Sequence, residues 1–322
     1  MKKQTNASVS GRFGMVGRCP AMRRVFRQIE NVAAFDVGVL ITGESGTGKD
    51  LVAYQLHRLS PRCDGPYLAV NTGAIPRELV ASELVGHEKG AFTGAERLKI
   101  GKFEAANGGT LFLDEISTMD EQTQVSLLRI LEQKRLQRVG GTRYLEVDVR
   151  VVAATNEDLR SSVKAGKFRE DLFYRFNVFN IQLPPLRRRG DDVVLLAQEF
   201  LRRYCAEFGK PVLSFAPEAL AHFREYLWPG NVRELENTIM RAVIEAEGDR
   251  IEEQELPDAV RTTGPSSGQI TIPVGSTLDD AEKTLIARTL QNVGGNKRKA
   301  ASILGISRKT LYNKLARHDL GL

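Results

Sequence analysis

The stretch Gly43-Glu-Ser-Gly-Thr-Gly-Lys49-Asp50 follows the apolar run Val37–Thr42 and precedes the helical pattern Leu51–Leu59. The pattern G-x-x-x-x-G-K between a strand and a helix is typical of a loop that binds phosphate. Its glycines let the backbone curl until several N–H groups point at one anion, and the helix N-terminus adds partial positive charge. We therefore predict nucleotide binding here, against the alternative of a structural glycine turn. The predicted binding residues are Gly43, Glu44, Ser45, Gly46, Thr47, Gly48, Lys49 and Asp50.

A second apolar run, Thr110–Leu113, ends in the adjacent carboxylates Asp114 and Glu115. Side chains alternate along a strand, so the two acids can serve different tasks. Asp114 suits Mg²⁺, with Asp50 contributing through a water molecule, and Glu115 suits the attacking water. Such a strand end is often only a solvated turn. Downstream of a phosphate loop it predicts an enzyme that uses Mg²⁺ to hydrolyse a nucleoside triphosphate.

Strand-like runs alternate with helical patterns as far as Pro184, which predicts an α/β domain with a parallel sheet. After Pro184-Pro185 the patterns are all helical and indicate a lid. Residues 257–276 are poor in periodic apolar positions and contain Pro, Gly and Ser, which is typical of a linker. The predicted segments are a loose N-terminus (1–14), the α/β domain with its lid from 185 (15–255), a linker (256–276) and a small all-α domain (277–322).

Charge is distributed unevenly along the chain. The sequence has 46 basic and 40 acidic residues, and the whole surplus of +6 lies after residue 290. A localised basic block indicates a nucleic-acid partner.

No apolar run approaches the roughly 20 residues that span a bilayer, and no signal peptide is recognisable, so we expect a cytoplasmic protein without membrane contact. Three distant cysteines predict isolated buried thiols rather than disulfides or zinc.

The basic block from Asn296 to Leu315 has helix-turn-helix spacing, with Gly305 at the turn. Small apolar residues supply a core, and the second helix exposes polar and basic side chains that fit the major groove of double-stranded DNA. The alternative is a charged, solvated helical hairpin. The predicted DNA-binding residues are Lys297, Arg298, Lys299, Ser307, Arg308, Lys309, Thr310, Tyr312, Asn313 and Lys314.

The loop Lys89-Gly-Ala-Phe-Thr-Gly-Ala95 narrows the function further. GAFTGA resembles the hallmark loop of bacterial enhancer-binding proteins, the AAA+ activators of sigma-54 RNA polymerase. Four further motifs occur in the same order as in that family: GESGTGKD, NGGTLFLDE, FREDLFYRFN and WPGNVRELEN. The resemblance therefore covers roughly residues 14–250. The tail looks like the family's Fis-type helix-turn-helix. Val85 stands where the family more often has Phe.

The resemblance implies an AAA+ P-loop domain with a helical lid, followed by a helix-turn-helix domain. It also implies that the nucleotide is ATP and that the chain uses its hydrolysis to activate sigma-54 RNA polymerase holoenzyme from enhancer DNA, as a dimer that assembles into a hexameric ring. In this family an acid commonly follows the Walker A lysine, as Asp50 does. The loop that contacts sigma-54 would comprise Gly90, Ala91, Phe92, Thr93, Gly94 and Ala95, and the turn Val139–Thr142 would move with it.

Further roles are implied for residues near the nucleotide. Asn71 resembles the residue that holds the catalytic glutamate off its water, and Thr155-Asn156 resemble sensor I. Arg169 and Arg175 resemble arginine fingers that reach a neighbour's nucleotide, and Arg233 resembles sensor II.

Each of these roles has a structural alternative. The asparagines could be turn residues, Arg169 and Arg175 could pair with Glu170 and Asp171, and Arg233 could simply start a helix. We expect Arg187–Arg189 to be a solvated face, with a nucleic-acid contact as the alternative.

Two other functions remain open from the sequence. They are a DNA-binding repressor that does not act through sigma-54, and an AAA+ DNA motor or loader. Only about 14 residues precede the AAA+ region, too few for a sensory domain. We therefore expect control by a regulatory partner in trans or by abundance, unless the sequence is part of a longer protein.

Overall fold

The computed structural model describes residues 14–211, 214–261, 277–293 and 296–318. The predicted N-terminal segment and most of the predicted linker therefore lie outside the described residues. So do Gly294 and Gly295, at which the sequence predicts the end of a helix.

Eleven strands occur in the described ranges. They are β1 (Val39–Thr42), β2 (Tyr67–Asn71), β3 (Gly86–His87), β4 (Lys99–Ile100), β5 (Thr110–Asp114), β6 (Arg135–Gln137), β7 (Tyr144–Glu146), β8 (Arg150–Thr155), β9 (Phe179–Gln182), β10 (Ser214–Phe215) and β11 (Arg250–Ile251).

Fourteen α-helices occur in the same ranges. They are α1 (Pro20–Ala33), α2 (Lys49–Arg58), α3 (Arg77–Val85), α4 (Lys102–Ala105), α5 (Glu121–Gln133), α6 (Leu159–Lys164), α7 (Glu170–Phe176), α8 (Asp192–Glu207), α9 (Pro217–Glu225), α10 (Asn231–Glu245), α11 (Asp258–Arg261), α12 (Leu278–Asn292), α13 (Lys297–Ile303) and α14 (Arg308–Arg317).

The predicted parallel sheet is confirmed. Its strand order is β2-β5-β8-β1-β9 and every neighbouring pair is parallel. Asn71 pairs in register with Asp114, and Thr42 pairs with Thr155. The carboxyl ends of four strands therefore meet at one edge of the sheet, which is where open α/β sheets bind ligands.

Alternating side chains give the sheet two apolar faces. Leu40, Leu111 and Leu113 belong to a core shared with α3, α5 and α7. Val39, Ile41 and Phe112 belong to the core on the other face, shared with α1 and α2. The three central strands β1, β5 and β8 are buried on both faces, which explains why they read as continuous apolar runs in the sequence.

The described residues form two compact units. The first runs to Ala216 and also includes Leu227–Ile251, while the second combines Pro217–Tyr226 with the residues from Glu252 onward. The predicted domain boundaries stay a prediction.

None of the helices in the described ranges is long and apolar enough to cross a membrane. The three cysteines are free, but only Cys205 is buried, so the expectation of three buried thiols was wrong.

Arg150 is a buried cation in the sheet that sequence reasoning did not identify. It is 2% exposed at the start of β8. Its guanidinium donates to the carbonyl oxygens of Ala33 at 2.7 Å, Val32 at 3.1 Å and Leu56 at 3.4 Å. These carbonyls lie in the last turns of α1 and α2, where helices leave acceptors unpaired and the helix dipole favours a positive charge.

We expect Arg150→Met to lower the free energy of unfolding by about 2–4 kcal/mol, because it removes the donor to the carbonyl groups of Ala33 and Leu56 at the helix ends. The midpoint of urea unfolding measures this. Arg143→Met, at an exposed position between β6 and β7, is the matched control. Equal midpoints for the two variants would show that Arg150 does not stabilise the fold by capping the C-terminal ends of α1 and α2.

Candidate functional site

The predicted phosphate loop joins the end of β1 to the start of α2. Lys49 is the first residue of α2 and is 8% exposed. Its Nζ donates to the carbonyl oxygens of Gly43 at 3.0 Å and Glu44 at 3.3 Å. Burial lowers the pKa of Lys49, while Asp114 and Glu115 oppose that shift. The lysine and both predicted catalytic acids therefore share one electrostatic environment.

The phosphate loop packs against Gly230 and the first residues of α10. Gly46 has φ 76°, and a Cβ there would lie 2.2 Å from the carbonyl oxygen of Gly230. The backbone N–H groups of Val232 and Arg233 donate to Gly46 O at 3.0 and 3.3 Å. Glycine at position 46 is thus required by the left-handed backbone and by close packing on the Trp-Pro-Gly-Asn turn.

The expectation that Arg187–Arg189 form a solvated face was wrong for Arg189. This side chain is 3% exposed and donates to Thr47 O and Pro184 O, each at 3.0 Å. Arg187 forms an ion pair with Glu44. The run therefore contacts the phosphate loop. Its charge pattern alone could not reveal this, because the contacts join positions more than 140 residues apart.

The paired carboxylates lie at the end of β5. Glu115 has φ 57°, which turns the chain sharply away from the strand. Asp114 Oδ1 accepts a hydrogen bond from the Glu115 N–H at 2.9 Å. Buried Thr72 donates from its Oγ1 toward the carbonyl oxygens of Asp114 at 3.0 Å and Glu115 at 2.9 Å. Sequence reasoning missed this threonine, which fixes the strand end that carries both acids.

Asn71 lies beside Asp114 at the end of β2. Its Oδ1 accepts from the backbone N–H groups of Gly73 at 2.9 Å and Ala74 at 3.1 Å. A Cβ on Gly73 would lie 2.0 Å from Glu115 Oε2, so the glutamate carboxylate rests against the turn that Asn71 caps. The structure thus brings Asn71 and Glu115 to the same turn.

The predicted sensor residues occupy two different elements. Thr155 is buried at the end of β8, and its Oγ1 accepts from the Glu157 N–H at 3.0 Å; Asn156 follows as an exposed residue. Arg233 is exposed, and its Nη1 lies 3.4 Å from Ser45 Oγ of the phosphate loop. Both positions border the loop, and Thr155 O accepts from the Gly43 N–H at 3.3 Å.

Arg169 and Arg175 lie at the two ends of α7; Arg175 is exposed and Arg169 is half-buried. Arg169 is held by Asp171, with Nη2–Oδ2 at 2.7 Å and Nε–Oδ1 at 3.1 Å. Arg175 Nη2 donates to Leu131 O at 2.9 Å. The ion pair with Asp171 is one of the structural alternatives that the sequence left open. It leaves the guanidinium accessible to solvent.

A cavity of about 510 Å³ adjoins the phosphate loop. Its apolar lining suits the flat face of a nucleotide base. Apolar lining residues include Met15, Val16, Leu183, Leu196, Phe200 and Val232.

The Gly90–Ala95 loop lies between the antiparallel strands β3 and β4. It is closed by hydrogen bonds from Gly90 N to Ala95 O at 2.7 Å and from Ala95 N to Phe92 O at 3.0 Å. Phe92 is 38% exposed and makes an edge contact with His87 at 4.9 Å, while Thr93 is exposed. The loop thus presents Phe92 and Thr93 to solvent, and Phe92 is not folded into the core.

A second loop between β6 and β7 is tied to the first. Glu88 N donates to Val139 O, and Val139 N donates to Gly86 O, each at 3.0 Å. Arg138 pairs with Glu88 at 2.9 Å. A Cβ on Gly140 would lie 2.8 Å from the Cβ of Ala91. These contacts supply a physical link through which the two loops can move together.

The second compact unit contains the three helices of the basic tail. Their core comprises Ile286, Leu290, Ala300, Ala301, Leu311 and Leu315. Asn296 caps α13 and Ser307 caps α14, and Gly305 at the turn has φ 64°. This arrangement is the helix-turn-helix that the spacing predicts.

The exposed face of α14 differs from the prediction at two positions, of which the first is Thr310, a half-buried residue. Arg308, Lys309, Tyr312 and Asn313 are exposed. Lys314 is half-buried and paired with Glu282 of α12, so its expected exposure was wrong. The ion pair ties α14 to α12.

The fold and site define a P-loop ATPase of the AAA+ class on a chain that ends in a helix-turn-helix. Three family models match: the sigma-54 interaction domain over residues 15–182, the AAA+ ATPase lid domain over 187–272, and the bacterial regulatory protein, Fis family, over 277–318. The chain belongs to the family of sigma-54-dependent, ATP-hydrolysing transcriptional regulators. These matches do not favour a regulator independent of sigma-54 or a DNA motor.

Relatives of known identity align over nearly the whole chain. The transcriptional regulatory protein ZraR of Salmonella typhimurium is 49% identical over 96% of this chain and 69% of its own length. The DNA-binding transcriptional regulator NtrC of Escherichia coli is 44% identical over 96% of this chain and 70% of its own length. NtrX from Brucella abortus, solved in complex with ADP, superposes with a TM-score of 0.74 at 33% identity, over 95% of this chain and 70% of NtrX.

Proposed function

We propose that the chain hydrolyses ATP with the residues gathered at the carboxyl edge of its sheet. The observation that carries this assignment is the convergence of the phosphate loop, Asp114, Glu115 and Thr155 at neighbouring strand ends. The backbone N–H groups of Gly43–Asp50 and Lys49 hold the phosphates, and Glu115 orients the attacking water. Asn71 restrains Glu115 through the turn they share. Asn156 and Arg233 read the phosphate at the end of the nucleotide.

The residues present fit a magnesium ion. Burial raises the pKa of the half-buried Tyr67 phenol, and the charges of Asp50 and Asp114 raise it further, so both carboxylates lie near this side chain. Carboxylate oxygens and substrate phosphates are the ligands Mg²⁺ prefers. Asp114 would hold the ion, with Asp50 acting through water. When bound, it would neutralise charge on the phosphates.

We further propose that the chain works as a ring of identical subunits. Arg169 and Arg175 then act on the nucleotide of the neighbouring subunit, because their hydrogen bonds in the described part of the chain go to Asp171 and α5 rather than to the phosphate loop. Hydrolysis moves the Gly90–Ala95 loop against sigma-54 polymerase. The ring works in the bacterial cytoplasm, bound to enhancer DNA, and a regulatory protein acting in trans is its proposed control.

The proposal that the Gly43–Asp50 loop binds ATP for hydrolysis is tested by Lys49→Ala. We expect this variant to lose nucleotide binding and hydrolysis, because the lysine supplies the positive charge inside the loop. Titration with a fluorescent ADP analogue and a phosphate-release assay measure both properties. Arg241→Ala, on the exposed side of α10, is the control that keeps them. Undiminished binding by Lys49→Ala would refute the assignment of the loop.

DNA binding by α14 gives a separate prediction. Because Arg308 and Lys309 are exposed cations at the start of that helix, removing either should weaken binding and reduce the slope of log K against log salt by about 1. Fluorescence anisotropy over a salt series measures this. Lys283→Ala on α12, also an exposed cation of the same unit, should keep the full slope. An equal loss in all three variants would assign the effect to net charge rather than to this helix face.

A further inference from the structure

The phosphate loop depends on donors that come from residues far along the chain. A loop that aims its N–H groups at an anion turns its carbonyl groups outward, and enclosed carbonyls need hydrogen-bond donors. In the structure, a hydrogen-bond donor reaches the carbonyl group of each of three successive loop residues. Asn231 Nδ2 donates to Ser45 O at 3.0 Å, Val232 N donates to Gly46 O at 3.0 Å, and Arg189 Nη2 donates to Thr47 O at 3.0 Å.

Asn231 is the centre of this contact. It is fully buried and has φ 52°, an uncommon backbone conformation for a residue other than glycine. Its Oδ1 accepts from the Leu186 N–H at 2.8 Å, while Nδ2 reaches Ser45 O and also Glu44 Oε2, at 3.2 Å. One amide therefore joins the phosphate loop to the residues that follow β9 and to the start of α10.

Glu44 reinforces the orientation of this amide. Its carboxylate accepts from Nδ2, as Ser45 O does, so the NH₂ group faces the loop while Oδ1 accepts from the Leu186 N–H. The Glu44 carboxylate is held by Arg187 through contacts of 2.7 and 2.5 Å. Arg187, and to a lesser degree Asn231, lower the pKa of Glu44 to about 2, so the carboxylate is ionised throughout the physiological pH range.

We propose that Glu44, Arg187 and Asn231 form a triad that positions the phosphate loop for ATP. Arg187 fixes the Glu44 carboxylate, Glu44 orients the Asn231 amide, and Asn231 holds Ser45 O so that the neighbouring N–H groups keep their direction. The three are positioning residues that act through the loop. The inference rests on the proposed role of Gly43–Asp50 in binding the phosphates.

The triad supports the loop equally in the ground state and the transition state. Its loss should therefore raise KM for ATP more than it lowers kcat. A merely structural defect would behave differently, because a fraction of unfolded protein lowers the apparent kcat and leaves KM unchanged. The split between KM and kcat thus separates the two explanations.

The decisive variant is Asn231→Asp in the full chain. It keeps the shape and the acceptor for Leu186, but it removes the donor to Ser45 O and sets a second carboxylate against Glu44. We expect KM for ATP and Kd for a fluorescent ADP analogue to rise at least about tenfold, with a smaller fall in kcat. Unchanged KM and Kd would overturn the proposal.

Glu44→Gln and Arg187→Gln test the outer part of the triad. Because this ion pair is partly exposed, each should raise KM by about two- to fivefold, and the double variant should be no worse than either single one. Effects that multiply would refute the link from Arg187 through Glu44. Arg241→Gln, which breaks the exposed Arg241–Glu245 pair on α10, is the matched control and should leave KM unchanged.

Lys49→Ala separates this inference from the proposed function. If Lys49→Ala loses the ADP analogue while Asn231→Asp binds it normally, only the triad is wrong. If Lys49→Ala still binds the analogue, the assignment of the loop fails, and the triad fails with it.

Discussion

Replacing Arg175 or Arg169 with alanine will abolish ATP hydrolysis while leaving nucleotide binding in place. An arginine that stabilises the transition state of phosphoryl transfer is worth about 10³–10⁵ in rate, so turnover should fall to background. Neither side chain contributes to the described cores; Arg175 is exposed, and Arg169 is half-buried with a side chain that reaches solvent. The fold should therefore survive. A coupled phosphate-release assay measures turnover, and Arg160→Ala, at an exposed position on α6, is the control.

Mixing two inactive variants tests whether the arginines act between subunits. Arg175→Ala keeps an intact phosphate loop and Glu115, whereas Glu115→Gln keeps both arginines. In a mixed ring the second variant supplies Arg175 to the nucleotide of the first, and hydrolysis should return. Mixtures that stay inactive, in a preparation shown to assemble, would mean that the arginines serve their own subunit. Full turnover in both single arginine variants would reject the role altogether.

Replacing Thr93 with alanine will eliminate transcription from a sigma-54 promoter while ATP hydrolysis continues. Thr93 is exposed in the loop that joins β3 to β4. Removing its hydroxyl leaves the loop-closing hydrogen bonds of Gly90 and Ala95 intact. The expected loss therefore falls on the contact with the polymerase and not on the catalytic residues.

An in vitro open-complex assay with purified sigma-54 holoenzyme measures the effect. Thr93→Ser keeps a hydroxyl at the same position and should retain most of the activity. Equal transcription by the wild type and Thr93→Ala would show that this loop does not transmit the energy of hydrolysis. It would also revive the hypotheses of a sigma-54-independent regulator or a DNA motor.

The parts of the site that are specified by a few adjacent residues could be predicted from the sequence. The phosphate loop is specified by two glycines and a lysine between a strand and a helix, and the acidic pair by its place after a buried strand. The helix-turn-helix follows from its spacing and its charge. The hairpin strands β3, β4, β6 and β7 were missed, because two or three residues are too few for a periodic signal.

Long-range polar contacts were not predictable in the same way. Three consecutive arginines at 187–189 favour a solvated face, yet Arg189 is buried on Thr47 and Arg187 pairs with Glu44. Arg150 likewise closes two helix ends from within the sheet. Composition assigns such residues to the surface, because burying an unpaired cation is costly. Only the tertiary structure reveals the carbonyl and carboxylate groups that offset the cost.

The sequence by itself determined the class of this protein: a nucleotide loop, an acid pair, a GAFTGA loop and a basic helix-turn-helix, each encoded in a few adjacent residues. The tertiary structure decided how these parts are held. It joined Asn71 to Asp114 by strand register, and it surrounded the phosphate loop with Arg189 and Asn231. The physical reason is that local patterns encode backbone conformation and chemical type. The satisfaction of buried polar groups depends instead on which distant segments the fold brings together.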